Sequence, residues 1–218
     1  ADICDAVGAD ICEVKRGMAL DPRIGGQYLN AGIGYGGSCL PKDVAAITKI
    51  GQQHGLPMFI ASGIQLVNQR QRLGFADLIT ARFGNDLKGI ALGVWGLSFK
   101  PGTDDLREAP ALDIVTALLE RGASVEAFDP AANSGQTWPD PLKTGFKRVD
   151  SMREAALGKN GLLLLTEWPC FADADFSELS ALMRERIIFD GRSLYRPDIV
   201  RRHGFEYYCI GRNSRPDS

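Results

Sequence analysis

The chain has 218 residues, of which 44% are hydrophobic and 24% charged, with a formal net charge of −2. This is the composition of an ordinary globular protein with enough apolar residues for a core. The balanced charge, with no block of one sign, excludes a nucleic-acid footprint. The longest apolar run, Gly161 to Thr166, is far too short to span a membrane.

Five cysteines occupy positions 4, 12, 39, 170 and 209, an odd number at wide spacing with no C-x-x-C. That argues against a disulfide framework and for free thiols in a reducing cytoplasm. The two histidines, His54 and His203, give a metal site little to work with, and none is expected.

The opening ADICDAVGADICEV lacks an initiator Met and the basic start of a signal peptide. It reads as the tail of a helix already under way, as expected of an excised piece. Helical patterns come next over 42–54 and 58–83, with Pro57 at a tolerated start and Gly84-Asn85 at a favoured stop. A break near Asp86–Lys88 divides a helical region, 1–86, from a second region, 87–218.

In the second region short apolar runs alternate with amphipathic helices. Strands are predicted at 89–96, 123–130, 161–168, 187–192 and 205–211, and helices at 109–122, 152–158, 176–185 and 195–203. Alternation of this kind implies a parallel sheet covered on both faces, a small doubly wound, Rossmann-like α/β domain. Ligands of such sheets sit at the carboxyl ends of the strands, where GLSFK, FDP, TEW and DGR fall. Residues 131–143 read as a surface loop.

The chemistry concentrates in NAGIGYGGSCLPKD, residues 30–43. Gly32, Gly34 and Gly37 formally match G-x-G-x-x-G. No strand precedes them, however, and Pro41 intervenes before the helix, so a dinucleotide fingerprint is rejected. A glycine turn delivering Cys39 to the first turn of a helix fits better. The helix start and Lys42 favour a thiolate, and Asp43 stands four residues on as a base. A buried structural cysteine in a tight turn is the competing reading.

GYGGSCLPKD resembles the active-site signature of the UDP-glucose/GDP-mannose dehydrogenase family. DPRIG (21–25), GLSFKPGTDDLREAP (96–110), FDP (128–130), TEW (166–168) and FDGR (189–192) keep the family order. The resemblance covers the family's central, long-helix dimerisation region and its C-terminal nucleotide-sugar domain. The N-terminal NAD-binding domain is therefore expected to be missing, and the fragment alone to be inactive.

The implied reaction is a two-step, four-electron oxidation of a nucleotide sugar at C6, with NAD as acceptor. UDP-glucose to UDP-glucuronate is preferred; GDP-mannose or another nucleotide sugar is the alternative, as is a pure binding and dimerisation module. By resemblance Cys39 is the nucleophile and Asp43 the proton-transfer group. Arg23 is matched to an arginine that reaches the sugar in a neighbouring subunit, with a surface cation as the alternative. Tyr28, Asn30, Gly34, Tyr35, Gly36, Phe99, Lys100 and Arg192 are matched to substrate contacts. Position 30 departs from relatives that carry Lys there. Lys42 and Arg107 are assigned to the cofactor, although Arg107 could instead pair with Asp104, Asp105 or Glu108. A homodimer is expected through the long helix. Cys4, Cys12, Cys170 and Cys209 are read as packing residues, and Trp138 and Trp168 are given no role.

Overall fold

A computed structural model describes residues 1–131, 142 and 145–212. Four helices come first: α1 (Asp2–Val7), α2 (Ile11–Ala19), α3 (Leu40–Gln53) and α4 (Phe59–Phe83). The opening segment is thus two short helices. Gly8 ends α1 in the left-handed conformation, and the Asp10 side chain caps α2 by accepting the Cys12 N–H. Pro41 sits in the first turn of α3, where its missing N–H costs nothing.

The rest of the chain winds around one sheet. Its elements are β1 (Ala91–Trp95), α5 (Pro110–Glu120), β2 (Ser124–Phe128), β3 (Phe146–Arg148), α6 (Met152–Ala156), β4 (Gly161–Leu164), α7 (Pro169–Ala172), α8 (Phe176–Leu182), β5 (Ile187–Asp190), α9 (Pro197–Arg202) and β6 (Glu206–Cys209). The six strands are parallel in the order β3-β2-β1-β4-β5-β6. This is the Rossmann order, and its direction of winding reverses between β1 and β4.

Successive residues of a strand face opposite sides, so the sheet carries two cores. Leu92, Val94, Val125, Leu163 and Phe189 join one cluster with Phe75 and Ile79 of α4 and Ile114 and Leu118 of α5. Trp95, Leu162, Leu164, Ile188 and Tyr207 join the other with Phe171 and Phe176. Trp95 stacks on Phe171 at 5.4 Å, and its indole donates to the Met152 carbonyl at 3.1 Å. Ile33, fully buried in the first cluster, roots the glycine loop in the core.

The strand β3 and the helix α7 have no counterpart among the predicted elements, being three and four residues long, and α2 carries the opening helical segment on to Ala19. Most of the predicted surface loop at 131–143, with Trp138, lies outside the described residues. Among the described residues no helix is long and apolar enough to cross a membrane, and no cluster of His, Cys, Asp and Glu could hold a metal.

Candidate active site

The glycine loop is held in place by a series of backbone anchors. The Ile33 N–H donates to the Gly191 carbonyl at 3.1 Å, and the Gly37 N–H to the Arg107 carbonyl at 2.9 Å. The Gly34 carbonyl accepts from Arg192 Nη1 at 3.3 Å. At Tyr35 both backbone groups bind the Asn68 amide: the N–H donates to Oδ1 at 2.8 Å and the carbonyl accepts from Nδ2 at 3.1 Å. The loop lies so close to the start of α5 that a Cβ at Gly36 would collide with the Glu108 carbonyl. Gly37 has φ +86°, and a Cβ there would stand 2.8 Å from the Phe99 ring.

Cys39 comes next as the N-cap residue of α3, with an exposed thiol whose sulfur lies 3.7 Å from Ser38 Oγ. Its exposure removes the reading of a buried structural cysteine. The Asp43 N–H donates to the Cys39 carbonyl at 2.9 Å, and the Asp43 carboxylate pairs with Lys42 at 3.4 Å, both side chains in solvent. Arg107 forks onto Asp105, with Nη2 2.7 Å from Oδ2, while its side chain stays 70% exposed. Asp105, and more weakly the Cys39 sulfur, raise its guanidinium above the ordinary value. The Gly37–Arg107 backbone bond brings the segments that carry this cation and the thiol to one edge of the cleft. Lys100 Nζ lies 5.4 Å above the Phe99 ring, which is packed beneath Gly37.

On the far side, the turn after β5 carries Arg192, 12% exposed in its side chain. Its Nε donates to the Leu165 carbonyl at 2.8 Å and lies 3.2 Å from Glu167. Nη2 is buried without a partner. Burial lowers its basicity, against which Glu167 and Asp190 act. Arg192 and Asn30 line a cavity of about 400 Å³ together with Cys12, Lys15 and Arg16 of α2, and Lys15 bonds the Asn30 side chain. Asp190, fully buried, accepts the Arg192 N–H at 2.9 Å and the Tyr207 hydroxyl at 2.6 Å, which fixes the turn that presents Arg192. Burial raises its carboxyl, the hydrogen bonds opposing.

The crevice after β1 is closed by a carboxylate. Asp129, at the end of β2 and fully buried, accepts the N–H groups of Leu97 at 2.7 Å and Ser98 at 2.9 Å. Trp168 Nε1 adds a contact at 3.3 Å. In the usual dinucleotide fold the N–H groups after β1 receive a pyrophosphate and the acid after β2 a ribose. Here the acid has turned inward onto the donors, so neither is left for a dinucleotide.

Two family profiles match the chain: the UDP-glucose/GDP-mannose dehydrogenase family central domain over residues 1–70, and that family's UDP binding domain over 93–197. The chain belongs to the UDP-glucose/GDP-mannose dehydrogenase family. It is 40% identical over 212 residues to a UDP-glucose 6-dehydrogenase of Rhizobium meliloti, covering 97% of this chain and 48% of that protein. It is 41% identical over 215 residues to one from Pseudomonas aeruginosa, with the same coverage. The chain thus spans about half the length of the curated relatives it matches. Among solved structures it resembles a UDP-glucose dehydrogenase from Pyrobaculum islandicum, with a TM-score of 0.78 and 34% identity over 88% of this chain and 42% of that one.

The structure brings Gly36, Cys39, Phe99, Lys100 and Arg107 to one edge, and Asn30, Gly34 and Arg192 to another. Arg23 stands apart from both, exposed and forked onto Asp21 with Nη2 2.6 Å from Oδ2. Tyr28 is 98% exposed and holds a positive φ of 62°, a strained backbone for a bulky residue. Tyr35 lines an apolar cavity of about 460 Å³ with Ile60, Ile64 and Val67 of α4. Sequence reasoning missed Asn68, Arg72, Lys15 and Asp129, whose roles depend on contacts across the fold. Only FDP, at a strand end, marked one of them. Cys4 and Cys209 are buried as expected, burial pushing the Cys209 thiol up to about 12. Cys170 is exposed, because the short α7 turns Phe171 inward in its stead, and the packing reading fails for it.

Proposed function

We propose that this chain is the thiol-bearing and sugar-holding portion of an NAD-dependent dehydrogenase that oxidises C6 of UDP-glucose to the carboxylate of UDP-glucuronate. The observation that supports it is the seat of Cys39: an exposed thiol at a helix start, on a loop fastened to the carboxyl edge of a Rossmann-like sheet. In this reading residues 1–86 form the central region and 87–218 the nucleotide-sugar domain.

Oxidation of the hydroxyl first gives an aldehyde. The Cys39 thiolate adds to its carbon, forming a thiohemiacetal whose loss of a second hydride leaves a thioester. Water attacks the thioester, its proton passes to Asp43, and the acid departs as Cys39 is regenerated. Arg192, with its free arm, and Asn30 hold acceptors of the substrate, and Lys100 on Phe99 meets the diphosphate. Tyr28, Gly34, Tyr35 and Gly36 line the sugar, and Arg23 reaches the sugar of a second subunit.

NAD serves as hydride acceptor in both oxidations. The exposed cations Arg107 and Lys42 beside Cys39 fit its phosphate edge. Asp129 occupies the donors after β1, and in this reading the remainder of the cofactor is held by residues outside these 218. By itself the chain then binds sugar nucleotide without turnover, a binding and dimerisation module working in the cytoplasm. Phe59, Ile60 and Leu66 of α4, 79%, 83% and 68% exposed, supply the apolar face for a second copy.

Calorimetric titration of the chain with UDP-glucose, GDP-mannose and NAD tests this. UDP-glucose binding with feeble NAD binding is expected. Preference for GDP-mannose would change the sugar, and absence of any nucleotide-sugar binding would overturn the assignment of the pocket to this chain.

A further inference from the structure

Arg72 of α4 carries a guanidinium buried in the body of the protein, on the same helix face as Asn68 one turn earlier. Its Nη2 donates to two carbonyls, that of Tyr35 at 2.7 Å and that of Glu108 at 3.1 Å. Its Nη1 bonds Asp113 of α5 and lies 3.7 Å from the Glu108 carboxylate. The two carbonyls belong to the two walls of the cleft. Tyr35 precedes Cys39 on the glycine loop, and Glu108 comes directly after Arg107.

Glu108 also holds φ +52°, a left-handed backbone that a non-glycine residue keeps only where its surroundings over-determine it. Its carbonyl lies where Gly36 has no Cβ, and one nitrogen of Arg72 spans the seam between them. Asn68 adds its two-point bond to the Tyr35 peptide, so the Tyr35 carbonyl has two donors, both from α4.

We propose that Asn68 and Arg72 form a clasp that positions Cys39 against Arg107, making them positioning residues for the thiol chemistry. This rests on the reading of Cys39 as the reactive thiol, and neither side chain needs to touch substrate. The guanidinium spreads these bonds over two nitrogens fixed in one plane, Nη2 on the carbonyls and Nη1 on the carboxylate; a lysine keeps the charge but offers a single nitrogen and loses that span.

The test is competitive alkylation of the 218-residue chain with iodoacetamide, read cysteine by cysteine by mass spectrometry. The exposed Cys170 is the internal reference, and the buried Cys4 and Cys209 report loosening of the whole fold. Asn68→Ala and Arg72→Lys are expected to change the Cys39:Cys170 rate ratio by about threefold or more with Cys4 and Cys209 still protected. Should Arg72→Lys fail to fold, Asn68→Ala, at a half-buried site, still decides. An unchanged ratio in a folded variant overturns the clasp, and so does a ratio that moves only as Cys4 and Cys209 become reactive. In the complete dehydrogenase the same variants should lower kcat about tenfold with KM within about twofold. Alkylation needs neither sugar nor NAD, so failure of the dehydrogenase reading would show separately, as an unsubstituted enzyme that reduces no NAD.

Discussion

The Arg192 guanidinium reaches the Gly34 carbonyl at 3.3 Å, tying the turn after β5 to a loop 158 residues earlier in the chain. The side chain pairs with Glu167 at 3.2 Å yet keeps Nη2 buried and unpartnered. A desolvated donor gains most from a ligand acceptor. Arg192→Lys removes the fork but keeps a cation. We expect UDP-glucose affinity to fall about tenfold, or ~1.4 kcal/mol, in calorimetry. Unchanged affinity would place the ligand away from this turn.

Asp129 is expected to make the protein sensitive to acid. Burial raises its carboxyl, but the N–H groups of Ser98, Leu97 and Ala131 outweigh this and hold it below the ordinary carboxylate range. A depressed folded value means stabilisation that is complete above the unfolded value and lost as pH falls through the folded one. Asp129→Asn should cost about 1–3 kcal/mol at neutral pH. In urea unfolding the gap between parent and variant should close as pH drops below about 4. A gap that stays constant with pH would show that the charge contributes nothing.

The alternation of strands and helices was legible because buried parallel strands read as short apolar runs, as GLLLL does between Asn160 and Thr166. Cys39 and its glycines were legible because a tight loop needs glycine in consecutive places. The partners of that loop were not. Asn68 and Arg72 look like ordinary polar residues of a long helix, and only the packing of the glycine loop and α5 against α4 turns them inward. Asp129 could be found as a strand-end acid, but nothing local distinguishes an acid that faces a ribose from one that turns back onto Leu97 and Ser98. The strand β3 is three residues long with no buried position, too short for periodicity to register.

At Gly36 the loop lies against the sheet half with the Glu108 carbonyl in the place of a Cβ. The obstacle is backbone, which cannot rotate aside. Gly36→Ala should therefore lower stability by about 1–3 kcal/mol and lift the loop from Phe99, increasing proteolysis near Tyr35. Thermal unfolding and limited proteolysis check this, and a variant with the parent's melting temperature and cleavage pattern would contradict the packing.

The apolar face of α4 gives a prediction about assembly. Phe59 and Ile60 expose most of their surface at the start of a 25-residue helix, beside the apolar cavity lined by Tyr35, Ile64 and Val67. A charge introduced there costs little in a monomer but must be desolvated in a dimer. Ile60→Glu should weaken the proposed self-association about a hundredfold, or ~2.7 kcal/mol, in sedimentation velocity, with the unfolding midpoint of the monomer unchanged. A dimer of undiminished stability would place the interface on another face.

Cys39 carries the chemical prediction. In the proposed mechanism no thiohemiacetal forms without its sulfur, and the second hydride loss then has no covalent route to a thioester. In the complete enzyme Cys39→Ala should reduce carboxylate formation at least about a thousandfold, or ~4 kcal/mol of barrier. UDP-glucose binding should stay within about threefold of the parent, because the binding contacts proposed for Arg192 and Lys100 are untouched. NAD reduction and product mass spectrometry measure the first, calorimetry the second. Carboxylate formed at the parent's rate would mean that water adds to the aldehyde and the resulting hydrate loses its hydride directly, and that the exposed thiol serves another purpose. Loss of binding together with turnover would instead make Cys39 part of the sugar pocket.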